Sequence, residues 1–141
     1  MSDDSPAFTI RPGRPSDAAS IAVFMIRLAW ETESVRLNPS TVELGVKTAL
    51  ADESKGRYFV AVVDGIVVGC LMLTREWSDW RNADMWWIQS VYVDADARGR
   101  GVFKGLYAHV REMAQAAGVA SIRLYVEKQN GRAKRHTSRW G

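Results

Sequence analysis

The sequence predicts an α/β domain in which helices pack on a mixed sheet. Three observations carry this. Arg57–Val63 and Ile66–Thr74 are β-rich runs joined by Asp64-Gly65, a dipeptide that supplies the two positive-φ positions of a type I′ hairpin turn. Met85–Val93 is apolar at nearly every position, as expected of a central strand covered on both faces. The amphipathic stretch Val102–Ala117 lies between that strand and a second one, Ser121–Glu127, which makes a parallel strand–helix–strand crossover.

The remaining elements follow in chain order. Ala7-Phe8-Thr9-Ile10-Arg11 alternates and stops at Pro12, which reads as a short first strand. Ser16-Asp17 offers an N-cap to a helix from Ala18 to about Ala29 or Trp30. Pro39-Ser40-Thr41 opens a second helix, with Val42, Val46 and Leu50 as its apolar stripe. After Val93, residues 94–101 form a loop. Val102, Leu106, Val110, Met113 and Ala117 then share one helical face, and Gly118 ends that helix as its C′ glycine. In Ser121–Glu127, Ile122, Leu124 and Val126 face one way and Arg123, Tyr125 and Glu127 the other. Asn130 onward is expected to start a last helix. The order is β-α-α-β-β-β-α-β-α, a single domain over residues 7–141, without repeats or low-complexity tracts.

Composition excludes several classes. At 141 residues and 47% hydrophobic, the chain can bury a core without disulfides. Its longest apolar runs are interrupted at Asp64-Gly65 and fall short of the roughly 18 residues of a membrane span. Cys70 is the single cysteine and sits in an apolar strand, as a small core side chain. Two histidines and one cysteine make no metal centre. With no visible signal sequence in Met-Ser-Asp-Asp-Ser-Pro, a reducing cytoplasm is expected. The net charge is +3, but Lys128, Arg132, Lys134, Arg135 and Arg139 lie in the last fourteen residues, so the preceding 127 carry −2. The body is therefore no nucleic-acid platform, and only the tail could serve as one.

The chemistry concentrates in Val91-Tyr92-Val93-Asp94-Ala95-Asp96-Ala97-Arg98-Gly99-Arg100-Gly101-Val102-Phe103-Lys104. A central strand ends there, a turn rich in Arg and Gly follows, and a helix begins. First-turn helical amides lack intrahelical partners, and the helix dipole adds positive potential. Gly99 and Gly101 admit a closely approaching ligand, while Arg98, Arg100 and Lys104 supply charge. Together they predict a phosphate cradle. The string of a P-loop is absent, and the spacing from Val93 does not suit a dinucleotide fingerprint, although Glu127 stands where that reading wants an acid.

This spacing resembles the pyrophosphate loop of the GNAT N-acetyltransferase superfamily, Gln/Arg-x-x-Gly-x-Gly/Ala, here Arg98-Gly99-Arg100-Gly101-Val102-Phe103 with Phe103 replacing the last small residue. The likeness extends over about residues 7–133. It implies a GNAT-like fold and acetyl transfer from acetyl-CoA, as co-substrate, to an amine of a small molecule or peptide. It implies that the backbone of Val91, Tyr92 and Val93 runs beside the pantetheine, in a gap between the fourth and fifth strands. The segment from Arg98 through Gly99, Arg100, Gly101, Val102 and Phe103 to Lys104 would hold the pyrophosphate, and Asn130 would meet the pantetheine arm. Glu31, after a helix that overhangs the acceptor site, and Glu127, at the end of the fifth strand, are the expected proton acceptors. Glu33, Glu76, Asp79 and Asp84 are further candidates by position.

The family's usual Tyr acid, seven residues after the Asn, is replaced by Thr137, with His136 beside it. Trp77 or Trp80 with Asp79 could attract a cationic amine, while Trp86 and Trp87 fill the core. The family's fold continues with two more strands after its last helix. The expectation here is a C-terminally shortened fold, with the fifth strand an open edge that a second copy could cover. A non-catalytic acyl-CoA-binding module is the alternative reading.

Overall fold

The structure, a computed structural model, describes residues 7–127 and 133–138, with side chains described through Leu124. Nine regular elements follow in order: β1 (Thr9–Pro12), α1 (Ala18–Glu33), α2 (Pro39–Ala51), β2 (Arg57–Val63), β3 (Ile66–Ser78), β4 (Ala83–Val93), α3 (Val102–Ala117), β5 (Ser121–Glu127) and β6 (Ala133–Ser138). The strands form one sheet in sequence order, antiparallel throughout except for the parallel β4–β5 pair.

Helices cover both faces of this sheet. On one face α3 buries Leu106, Val110 and Ala114 against Phe59, Ala61, Leu71, Trp86, Ile88 and Ile122. On the other, α1 and α2 bury Ile21, Phe24, Val46 and Ala49 against Tyr58, Val60, Cys70 and Tyr92. The strand alternation seen in the sequence thus divides two cores, since adjacent residues point to opposite faces. Each large fully buried side chain contributes about 1.5–3 kcal/mol. Cys70 is buried, and that burial pushes its thiol up to about 12, far from the reactive thiolate range. Among the described residues no helix is long and apolar enough to cross a membrane.

Boundaries shift modestly from expectation. The β3–β4 hairpin runs further than its apolar content suggests, through Trp77↔Asp84 and Ser78↔Ala83, because backbone pairing continues past the covered zone. The first helix runs on to Glu33 and stops where Ser34 turns left-handed (φ 53°). Asp17 rather than Ser16 begins it, but its carboxylate reaches backward. Oδ2 accepts from the Arg14 amide (2.7 Å) and from Arg11 Nη1 (2.7 Å), and Oδ1 from Arg11 Nη2 (3.1 Å).

One element is corrected outright. The segment expected as a last helix contributes a strand, β6, that pairs antiparallel with β5 from Ile122↔Ser138 to Glu127↔Ala133. Ala133–Ser138 has no helical apolar stripe, and the neighbouring β5 edge offers a row of unpaired backbone groups. Sheet pairing outweighs the weak local preference for helix. The fifth strand is therefore not an open edge, and the reason for a second copy to cover it is removed.

Candidate active site

The site forms where β4 parts from β5. Their parallel register runs from Met85↔Ser121 to Ile88↔Leu124, although β4 continues to Val93 and β5 to Glu127. The cause lies in β4. Met72 pairs with Ser90 and Leu73 with Ile88, so Gln89 is an extra residue without a partner on β3. Such a bulge bends the strand and increases its twist. The two strands separate at that point, leaving a gap open toward the loop after Val93. The Gln89 side chain lies exposed and donates from Nε2 to Thr74 Oγ1 (2.8 Å). Sequence reading missed this bulge; its one trace is a polar residue interrupting an apolar strand.

Backbone direction beyond the bulge follows from one hydrogen bond. The Asp94 amide donates to Val68 O on β3 (2.8 Å). By alternation the main-chain groups of Tyr92 also face β3, while those of Val91 and Val93 face the gap. The Val93 carbonyl is already engaged, accepting from Arg98 Nε (2.9 Å).

A short 3₁₀ turn at Ala95–Ala97 leads into Arg98-Gly99-Arg100-Gly101. Gly99 and Gly101 both have φ +80°, the left-handed region that disfavours side chains, and a Cβ at either would point into open space. Gly101 is the N-cap of α3 and offers no capping side chain, so the first α3 amides are open toward that space. Arg100 and Lys104 flank them, exposed, and Phe103 is half-exposed. Gly69 lets α3 come this close: a Cβ there would sit 3.1 Å from both Tyr92 O and Val102 Cγ1. Val102 is buried and anchors the first turn of the helix.

The expected residues divide into groups. Val91, Val93, Gly99, Arg100, Gly101, Val102, Phe103 and Lys104 lie along one path from the gap to the start of α3. Tyr92 points to the other face and is buried against Phe24, with ring centroids 5.3 Å apart. Arg98 folds back over the Tyr92 ring (5.2 Å) and donates from Nη2 to Glu31 Oε1 (2.9 Å). Tyr92 OH donates to the other Glu31 oxygen (2.5 Å). The Tyr92 and Arg98 hydrogen bonds hold the Glu31 carboxyl below the usual range, while burial and Glu31 push the Tyr92 phenol up.

Glu127 ends β5 opposite the gap; its side chain, Asn130, and the side chains of His136 and Thr137 lie outside the described residues. Glu76 accepts from Trp87 Nε1 (2.9 Å) and pairs with Arg123 at 3.7 Å. Trp86 and Trp87 are both buried, as expected, but Trp80 is 93% exposed. Trp77 borders a cavity of about 430 Å³ lined by the cations Arg57 and Arg75 and the carboxylate of Asp84. That cavity sits by the first residues of β4, at the end away from the loop. Among the described residues no cluster of His, Cys, Asp and Glu could hold a metal.

Comparison with known proteins decides the family. Residues 22–140 match the model of the Acetyltransferase (GNAT) family. This chain belongs to that family. A crystal structure of a possible acetyltransferase from Clostridium difficile 630 is 44% identical, with TM-score 0.82 over 87% of this chain and 82% of that one. A ribosomal-protein-alanine N-acetyltransferase from Brucella melitensis biovar Abortus 2308 shares the fold at 20% identity and TM-score 0.68, over 84% of this chain and 79% of that one. An aminoglycoside acetyltransferase from an uncultured soil metagenomic sample does so at 18% and 0.67, over 86% and 78%. No curated protein matches. The GNAT assignment fits the parted β4 and β5 and the open helix start, and supports acyl transfer as the activity.

Proposed function

We propose that the protein transfers an acetyl group from acetyl-CoA to a primary amine of a small molecule or peptide. The observation that carries this reading is the meeting of the β4–β5 gap with the uncapped, cation-flanked start of α3. A diphosphate suits that start, because it takes up amide hydrogens that no described side chain satisfies. The pantetheine then runs along the gap beside Val91 and Val93, with Asn130 as a further partner, and its thioester lies near the Gln89 bulge.

The amine nitrogen attacks the thioester carbonyl and forms the new C–N bond. Negative charge gathers on the carbonyl oxygen, which a β4 backbone amide in the gap stabilises, a kind of donor whose loss costs about 10²–10³ in rate. The C–S bond then breaks, the thiolate leaves as free thiol once protonated, and the amine proton passes to a base. We assign that base to Glu127, at the end of β5, because both Glu31 oxygens already accept hydrogen bonds.

The test is direct. Acetyl-CoA is titrated by calorimetry, and thiol release is then followed across a panel of amines. Binding with amine-dependent release is expected. Binding without release from any amine would favour a non-catalytic acyl-CoA module, and absence of binding would overturn the reading altogether.

A further inference from the structure

We propose that Glu31 is a positioning residue: through Arg98 it fixes the turn that presents the α3 amides to the acyl-CoA diphosphate. The inference rests on the acyl-CoA reading above and assigns its most prominent carboxylate a role other than proton transfer.

Four observations converge on this. Both Glu31 oxygens are occupied, Oε2 by Tyr92 OH at 2.5 Å and Oε1 by Arg98 Nη2 at 2.9 Å. Arg98 in turn closes the turn on itself, since its Nε reaches the Val93 carbonyl at 2.9 Å across five residues. The guanidinium lies over the Tyr92 ring at 5.2 Å, and Tyr92 is buried and packs on Phe24 of α1. Finally, Arg27, one helical turn before Glu31, lies 3.8 Å from Asp94, where the turn begins. The last two turns of α1 therefore grip both ends of the segment between β4 and the glycines.

The chemistry of the pair points the same way. A general base needs a free lone pair near the attacking amine and a pKa near working pH. Each Glu31 oxygen already accepts one hydrogen bond, and those donors hold its ionised form and lower its basicity. Arg98 is equally committed, with its fork turned from the α3 amides toward Glu31. Among the described residues of the turn and the first turn of α3, Arg100 and Lys104 are the cations left to face a diphosphate. Glu31 and Arg98 act on the ligand through the backbone of Gly99 and Gly101, both left-handed, which follow directly on the turn that Arg98 closes.

Because Glu31 and Arg98 side chains are 41% and 48% exposed, a moderate effect is expected. In calorimetric titration with acetyl-CoA, Glu31→Ala and Arg98→Ala should each weaken binding roughly tenfold, the scale of one charge-assisted hydrogen bond. The double variant should lose little more than either single one, because the two residues act as one unit. Glu31→Gln keeps an acceptor for Arg98 and should fall between wild type and Glu31→Ala. In steady state the loss should appear in KM for acetyl-CoA rather than in kcat, and the acid limb of the kcat profile should stay in place.

Hydrogen exchange of the free protein supplies a readout that needs no ligand. Amides of residues 98–104 should exchange faster in Glu31→Ala and, by a smaller factor, in Tyr92→Phe, which keeps the ring and folds with it. A kcat loss of about 100-fold in Glu31→Gln with the acid limb gone and binding intact would make Glu31 the base and overturn the proposal. Unchanged exchange at 98–104 or additive losses in the double variant would overturn it too. If wild type did not bind acetyl-CoA, the functional reading would fall, and exchange alone would still decide the role of Glu31.

Discussion

Helices α2 and α3 begin in contrasting ways. At α2, Asn38 accepts from the Thr41 amide through Oδ1 (3.0 Å) and Pro39 follows as the first helical residue. That start is satisfied by its own sequence. α1 is entered differently: its N-cap Asp17 makes no side-chain bond to the first α1 amides, and its carboxylate closes the preceding turn on the Arg14 amide instead. At α3 the N-cap is Gly101, no described side chain caps the amides, and Arg100 and Lys104 stand beside them. A capping side chain contributes about 1 kcal/mol, so α3 forgoes stability that the α2 start takes. On the function proposed above, the open start is left for a group from outside, and it is also the start that adjoins the parted strands.

The contrast can be removed by giving α3 a cap of its own, and this should produce the largest effect. Gly101→Asp places a carboxylate over the α3 amides and repels a diphosphate. Asp tolerates a left-handed φ better than most residues, and the space around the new Cβ is open, so the fold should persist. Acetyl-CoA affinity, read by calorimetry, should fall by about 100-fold or more. Gly101→Asn separates capping from repulsion and should lose less. Affinity equal to wild type in Gly101→Asp would mean that the diphosphate sits elsewhere.

The closed turn before α1 should respond in stability instead. Asp17 is buried, which pushes its carboxyl up, but Arg11, the Arg14 amide and nearby positive charge outweigh burial and leave it below the ordinary value. A carboxylate depressed in the folded state stabilises the fold above its unfolded pKa, near 3.9, and loses that contribution as pH falls through the lower folded value. Asp17→Asn should therefore cost about 2 kcal/mol at neutral pH, measured by urea unfolding, and flatten the acid side of the stability profile below about pH 4. Its acetyl-CoA affinity should match wild type. An unaltered acid profile would show that the Arg11 pair contributes nothing in solution.

A smaller loss is expected from the cations at the open start. Arg100→Ala with Lys104→Ala should weaken acetyl-CoA roughly tenfold at low salt, with a shallower salt dependence than wild type, because exposed charges act through screened attraction. An unchanged salt dependence would assign the grip to the amides alone.

How much of this was legible beforehand differs by element. The Asp64-Gly65 hairpin, the apolar β4 and the glycine-rich turn into α3 take the expected local form, because each is a local pattern with one physical solution. The α3 stripe holds at Val102, Leu106 and Val110 but continues through buried Ala114, with Met113 half-buried and Ala117 exposed. The Gln89 bulge leaves only a polar residue in an apolar strand as its trace, because it depends on register between strands that only folding sets. The turn of Arg98 toward Glu31 was hidden for a related reason: the partners are 67 residues apart, and motif spacing marks Arg98 as a cation without showing where it points. The strand β6 was misread as a helix because its sequence is nearly neutral and the deciding term, an unpaired β5 edge, lies outside it.

The smallest effect belongs to the best-capped helix. Asn38→Ala removes the one side-chain acceptor at the start of α2 and leaves the Thr41 amide to water. Because the site is exposed, water recovers part of the loss, and about 1 kcal/mol should remain. That corresponds to a fall of roughly 3–6 °C in Tm for a domain of this size, measured by thermal unfolding with circular dichroism. Asn38→Gly, which relieves the backbone where alanine does not, should fall by less. Neither variant should alter acetyl-CoA affinity, since α2 packs on the face of the sheet away from α3. A cap at α2 that proved to govern ligand binding would erase the distinction between starts that serve the fold and the start that serves the ligand.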